Sequence, residues 1–243
     1  MARLDKNKFL SGVIGNLVFR NLDGKQIVQS KPDKIKQSTM TKLSGSEFRS
    51  CSQWAKMIRQ YLYNFLINQN DSYMYRRLTG SLYRAIRSNT AIFKGERTPL
   101  NSNLDELVGF DFNSNSAFKD YFLPTVLAEL TNQRQVQVTI PTFEPRSEVV
   151  FPERTGHAEL LVYVMATCLK YNTAVVDDYF IVPMTNNAAL IPATVWASII
   201  LPESHFVLVN AKIMYYNNDK FTVKNYINSK AMNPSTILMA KHT

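Results

Sequence analysis

The stretch Val13-Ile-Gly-Asn-Leu-Val-Phe-Arg-Asn-Leu-Asp-Gly-Lys-Gln-Ile-Val-Gln-Ser30 is predicted to form a β-hairpin within residues 12–31. It is rich in β-branched and aromatic residues, which favour strands. Asp23 and Gly24 favour a tight turn, because a two-residue hairpin turn needs positive φ angles. Pro32 ends the hairpin, since proline cannot donate to a β-ladder. The two predicted arms are residues 13–20 and 26–30.

A lone two-stranded hairpin is barely stable in water. This one must therefore pack against the rest of its chain or against another copy. Gly12 and Gly15 would permit a bulge or a close approach of another backbone. We expect the hairpin to dock on a neighbour by adding a strand to it. The candidate interface residues are Gly12, Gly15, Asn16, Val18, Phe19, Gly24, Ile27 and Val28.

Two helices are predicted after a basic linker at residues 33–43. Ser44-Gly-Ser-Glu47 matches a capping box, and apolar residues at three- and four-residue spacing continue to about Asn68. A second amphipathic pattern covers about residues 72–88, where Gly80 weakens the helix by about 1 kcal/mol relative to alanine. Together these patterns indicate a helical hairpin.

Arginine and tyrosine residues are interspersed along both predicted helices. Single-stranded nucleic acids are bound by this combination, with arginine on phosphates and tyrosine stacked on bases. The same residue types are enriched at protein interfaces, and no recognised nucleic-acid motif is present. We take a protein interface as the leading interpretation and nucleic acid as the alternative. The residues for the alternative are Arg59, Arg76, Arg77, Arg84, Arg87, Tyr73 and Tyr83.

From Leu107 onward the pattern changes to short β-segments separated by Pro, Asn and Gly, with one short helix expected within Ala117–Leu130. We predict an α+β protein: a β-hairpin and a helical hairpin in residues 1–106, then an immunoglobulin-like antiparallel β-sandwich in residues 107–243. The predicted strands are 108–112, 134–140, 158–169, 174–182, 193–201, 206–216, 221–226 and 236–240.

Charge is distributed unevenly along the 243 residues. Residues 1–98 contain 18 Lys/Arg and 6 Asp/Glu, whereas residues 99–243 contain 10 and 13. Such asymmetry suggests contact with a nucleic acid or an anionic surface, docking between opposite faces of an assembly, or simply a solvated basic face. No run of about 18 apolar residues predicts a membrane helix, and the first residues lack the pattern of a signal peptide. We therefore expect a cytoplasmic protein.

The sequence shows no pattern typical of catalysis. The three histidines, His157, His205 and His242, lack metal-ligand spacing, and phosphate-binding glycine loops and nucleophile elbows are missing. Cys51 and Cys168 lie in apolar patterns and are expected to be buried fillers. The sequence therefore predicts a non-enzymatic protein without a cofactor or metal, although a hydrolase or ligand-binding sandwich with an unrecognised site stays open.

Several segments resemble an uncharacterised bacterial family of unknown function, whose members open with Ser-Gly-x-x-Gly-Asn-x-Val and a Gly-Lys turn. The similar segments are Phe9–Phe19, Gly24–Pro32 and Lys42–Phe48, then Gly109-Phe-Asp-Phe-Asn113, Ile140-Pro141, Thr155-Gly-His157 and Tyr215-Tyr216. The resemblance spans most of the chain and is specific in its first 50 residues. It implies the architecture and no catalytic residue.

These observations favour a structural or scaffolding subunit that self-associates or docks a protein partner. Head-to-tail contact between oppositely charged faces would build a ring or filament. A phage-derived assembly is one setting for such a subunit.

Overall fold

The computed structural model describes residues 2–6, 8–32, 36–168, 175–188, 190–218 and 224–243. Within these ranges the protein is mixed α/β, with five α-helices and three open antiparallel sheets. Contacts divide the chain into two compact units, Met1–Lys42 and Leu43–Thr243. No described helix is both long and apolar enough to cross a membrane. Parts of three predicted strands, at 169, 174 and 221–223, and the start of the linker lie outside the described residues.

The first unit contains a four-stranded antiparallel sheet in the order β1-β2-β3-β4. The predicted first arm, residues 13–20, is wrong as a single strand. Gly15, with a φ of +57°, and Asn16 form a turn that divides it, and Ile14 pairs with Leu17 across that turn. The strands are β1 (Arg3–Leu4), β2 (Leu10–Ile14), β3 (Leu17–Leu22) and β4 (Lys25–Ser30).

Asp23 and Gly24 connect β3 with β4, and their φ angles are +49° and +77°. Two successive positive φ angles give the tight turn that suits the twist of antiparallel strands. Leu22 therefore pairs directly with Lys25, and the register continues to Leu17 opposite Ser30.

The first long helix starts earlier than the capping-box pattern predicts. It begins at Thr39, where the Ser38 hydroxyl accepts a hydrogen bond from the Thr41 amide at 3.2 Å. The predicted start at Ser44 is wrong, because Glu47 is buried inside the helix and accepts a hydrogen bond from the Gly95 amide at 2.7 Å. The helices are α1 (Thr39–Tyr61), α2 (Tyr63–Leu66), α3 (Met74–Ser88), α4 (Phe118–Tyr121) and α5 (Pro145–Glu148).

Two antiparallel sheets form the rest of the second unit. In the larger sheet β10 pairs with β7 along one side and with β11 and β12 along the other, and β8 lies beyond β7. The smaller sheet has the order β5-β6-β9. The strands are β5 (Leu127–Leu130), β6 (Val136–Ile140), β7 (His157–Thr167), β8 (Val176–Thr185), β9 (Thr194–Ala197), β10 (Phe206–Asn217), β11 (Asn225–Tyr226) and β12 (Ser235–His242).

The larger sheet contributes to a separate hydrophobic cluster on each face. Phe206 and Leu208 of β10 belong to the cluster of α1 and α3, whereas Val207 and Val209 belong to the cluster that contains the smaller sheet. This division follows from the alternation of side chains along a strand. An immunoglobulin-like topology for the two sheets stays a prediction.

One local prediction in this unit is wrong and another is confirmed. Residues 108–112 form no strand, only an isolated bridge between Asp111 and Thr236. The short helix expected within Ala117–Leu130 is confirmed as α4, and strand β5 follows it, because Pro124 stops any continuation of the helix. Leu104 and Phe112 share a buried cluster with residues of both α1 and β10. The predicted domain division at residue 106 stays a prediction.

Candidate functional site

The N-terminal sheet, strands β1 to β4, has no buried residue among those described in Met1–Lys42. Its strand register places apolar side chains on both of its faces. One face carries Ile14, Leu17, Phe19 and Val28. The other carries Val13, Val18, Leu22 and Ile27. Apolar residues on both faces of a strand are typical of sheets that are covered on both sides.

Strand β4 is the long outer edge of this sheet, and all six of its residues are exposed. The Lys31 amide donates to the Asn16 carbonyl oxygen at 2.7 Å, so Asn16 and Lys31 are a directly hydrogen-bonded pair at the end of the β3–β4 ladder. Because such pairs alternate along antiparallel strands, the backbone groups of Gln26, Val28 and Ser30 point away from β3. These groups form an open template for another strand.

All eight candidate interface residues lie in this sheet. Gly12, Val18, Phe19, Ile27 and Val28 belong to its strands. The remaining three, Gly15, Asn16 and Gly24, lie in the turns that connect β2 with β3 and β3 with β4. The unit Met1–Lys42 is also strongly basic, with nine Lys/Arg against three Asp/Glu.

A second candidate site is a cleft of about 810 Å³ along α3, here called the arginine cleft. Segment 106–111 lies across from the helix. The cleft gathers four of the seven residues predicted for nucleic acid. These are Tyr73, Arg76, Arg77 and Arg84.

The guanidinium of Arg77 is fixed inside this cleft. It forms an ion pair with the buried Asp71 carboxylate, donates to the Asp111 carbonyl oxygen at 2.9 Å and stacks 5.0 Å from the Phe110 ring centroid. Burial alone would raise the pKa of Asp71. Hydrogen bonds from the Ser114 amide, Arg77 and the Tyr73 amide outweigh it and lower that pKa below its usual value. Arg77 is thus held in place by the protein itself.

The other predicted nucleic-acid residues lie elsewhere. Arg59 stacks over Tyr75 at 5.8 Å, and Arg87 stacks over Tyr83 at 5.6 Å. None of these four residues lines the arginine cleft. The residue pattern of the helices could not separate the predicted residues inside the arginine cleft from those outside it. The opposite wall of the cleft comes from segment 106–111, about 25 residues further along the chain.

Two buried charged groups were not predicted from the sequence. Lys212 in β10 is 0% exposed, and its Nζ donates to the Phe65 carbonyl oxygen at 2.9 Å. Glu159 in β7 accepts hydrogen bonds from Lys224 and from the Tyr226 hydroxyl. Neither residue lines the arginine cleft, and the described residues contain no cluster of three His, Cys, Asp or Glu side chains that could hold a metal.

Comparison with protein-family models, with curated proteins and with solved structures finds no match to this chain. The likeness of its first 50 residues to an uncharacterised bacterial family therefore stays a resemblance. Any function has to be argued from the two surfaces themselves.

Proposed function

We propose that this chain is a non-enzymatic assembly subunit whose N-terminal sheet docks on a second copy of the same chain. The observation that carries the proposal is that no described residue of Met1–Lys42 is buried, although apolar side chains occupy both faces of its sheet. A small sheet needs a covered apolar face to be stable. Docking on a second copy supplies that cover.

Strand β4 offers the route of attachment. The outward backbone groups of Gln26, Val28 and Ser30 can pair with an edge strand of the neighbour. Charge favours the same kind of contact, because Met1–Lys42 is basic while residues 99–243 have three more acidic than basic residues. Complementary charge increases the rate of encounter and fixes the orientation of the partners.

Such a contact joins one surface of a copy to a different surface of the next. It therefore builds a closed ring or an open filament. We extend the proposal to an immunoglobulin-like arrangement of the two C-terminal sheets and to a cytoplasmic setting within a phage-derived particle.

The test compares the full chain with a chain that lacks residues 1–32, using size-exclusion chromatography with multi-angle light scattering. The full chain should form a defined oligomer, and the shortened chain should elute as a folded monomer. An oligomer of unchanged mass after the deletion would refute docking through this sheet.

A further inference from the structure

We propose that the arginine cleft binds a nucleotide, either free or as part of a single strand of nucleic acid. This inference concerns Leu43–Thr243 alone and does not depend on self-association.

Gly80 lies at the centre of α3, where glycine destabilises a helix relative to alanine. Neither backbone nor packing requires glycine here. Its φ is not positive, and a Cβ placed on it would have no atom within 4 Å. Gly80 does line the arginine cleft, so the missing side chain leaves the floor of this cleft open.

Arg76 and Arg84 flank that opening. The three positions are spaced by four residues, so they follow one face of the helix, and the two arginines are about 12 Å apart along its axis. Within the described part of the chain, neither guanidinium has a carboxylate within 4.0 Å. Among the described residues, Arg84 donates only to the Ser81 hydroxyl, at 3.0 Å. The two guanidinium groups therefore line the cleft with no carboxylate of a described residue within ion-pair distance.

The chemistry of these groups favours phosphate. A guanidinium donates two parallel hydrogen bonds to a phosphate. Arg77 lies in the same wall, but its charge is paired with Asp71, so Arg76 and Arg84 supply the positive charge for a phosphate. The Arg77 Nε is buried and has no hydrogen-bond partner among the described residues. A phosphate with its negative charge fits this wall.

The aromatic ring of Tyr73 lies next to the guanidinium group of Arg76. Tyr73 is exposed, lines the cleft and lies 5.5 Å from the Arg76 guanidinium. Bases stack on such rings with little preference for sequence. The volume of about 810 Å³ also lies in the range of small-molecule sites. Phosphate and base together identify the ligand as a nucleotide.

Two acidic residues also line the cleft, and one of them offers a control variant that should strengthen binding. Asp111 is occupied by a hydrogen bond from the Phe118 amide, and burial raises its pKa. Glu106 is exposed and repels a phosphate. Glu106→Gln should therefore strengthen binding about two- to threefold.

The experiment measures the fluorescence anisotropy of a labelled ten-nucleotide poly(dT) with the full chain, and displacement of that probe by AMP and ATP. Gly80→Glu places a carboxylate between Arg76 and Arg84 and should weaken binding at least tenfold. Gly45→Glu is its matched control, because Gly45 is an exposed glycine of α1 with equally open space and lies outside the cleft. It should change binding less than threefold. Thermal melting of each variant checks folding.

A second pair of variants separates the cleft from general positive charge. Arg76→Ala/Arg84→Ala and Arg59→Ala/Arg87→Ala each remove two charges, and only the first pair lines the cleft. The proposal predicts at least a tenfold loss for the first and under threefold for the second. Displacement by AMP or ATP would identify a free nucleotide as ligand, and binding of the oligonucleotide alone would identify a strand. Equal losses in both pairs, or no binding of any probe, would overturn the proposal.

Discussion

The Lys212 ammonium group donates a hydrogen bond to the Phe65 carbonyl oxygen at 2.9 Å, across the packed face between α2 and β10. Lys212 is fully buried and has no carboxylate partner among the described residues. Burial therefore lowers its pKa from 10.5 to about 8. The bond joins the helical layer to the central sheet with a group that can lose its charge.

Replacing Lys212 should change how stability depends on pH. Its folded pKa lies below its unfolded pKa, so the unfolded state binds more protons between these two values and stability rises with pH there. We expect the unfolding free energy of the native protein to gain about 2–3 kcal/mol relative to Lys212→Met between pH 7 and pH 10. Urea unfolding at both pH values measures this. A constant difference would contradict the buried, unpaired lysine.

Asp71 should be among the most sensitive polar positions of the second unit. Its carboxylate accepts hydrogen bonds from the Tyr73 amide at 2.8 Å and the Ser114 amide at 3.0 Å, and it pairs with Arg77. Asp71→Ala leaves these donors without a partner and should lower the free energy of unfolding by about 2–4 kcal/mol at pH 7.

The pH dependence of that effect has a defined sign. Because the folded pKa of Asp71 lies below 3.8, its contribution is complete above pH 3.8 and disappears as the pH falls through the folded pKa. The difference between native protein and Asp71→Ala should thus shrink in acid. An equal difference at pH 7 and pH 2.5 would contradict the assigned hydrogen bonds.

The two cysteines should differ in reactivity. Burial and, secondarily, the Glu47 charge raise the pKa of Cys51 to about 12, and this side chain is fully buried. Cys168 is only half-buried, so its expected role as a buried filler is wrong. A thiol reagent at pH 8 should label Cys168 first and Cys51 only as the protein opens. Cys168→Ser should abolish the fast phase, and survival of that phase would contradict the packing of α1.

Local patterns predicted the helices and most long strands, because apolar periodicity reports directly on burial. The features that differ from the prediction depend on contacts between residues far apart in the sequence. Glu47 matched a capping box, yet it accepts from Gly95, 48 residues away. Residues 108–112 alternate like a strand but form a single bridge with the chain near its end. Lysine in a strand usually indicates an exposed side chain, so nothing in the sequence marks Lys212 as buried.

The same limit applies to the candidate sites. The eight interface residues lie close together in the sequence, in strands β2 to β4 and the turns between them, so the sequence could identify them as a group. The arginine cleft needs segment 106–111 as its second wall, and no periodicity in α3 predicts that neighbour. In the sequence, Gly80 indicates only a position at which the predicted helix is destabilised.

The N-terminal sheet should become ordered as the protein assembles. Without a buried core of its own, its backbone amides should exchange with solvent quickly in dilute protein and slowly at assembling concentrations. Amides of β10, whose residues are almost all buried, should stay protected throughout. Hydrogen exchange with mass spectrometry at two protein concentrations measures both. Equal protection of β2–β4 at both concentrations would contradict ordering by a neighbour.

Light scattering on two variants of Val28 tests the proposed assembly most directly. The Val28 amide points away from β3, so Val28→Pro removes a donor for strand addition without removing a bond of the β3–β4 ladder. Val28→Thr is the matched control, because it keeps that amide and the β-branched shape. We predict an oligomer for the native chain and for Val28→Thr, and a monomer for Val28→Pro. An oligomer of native mass for Val28→Pro would contradict assembly through the β4 edge.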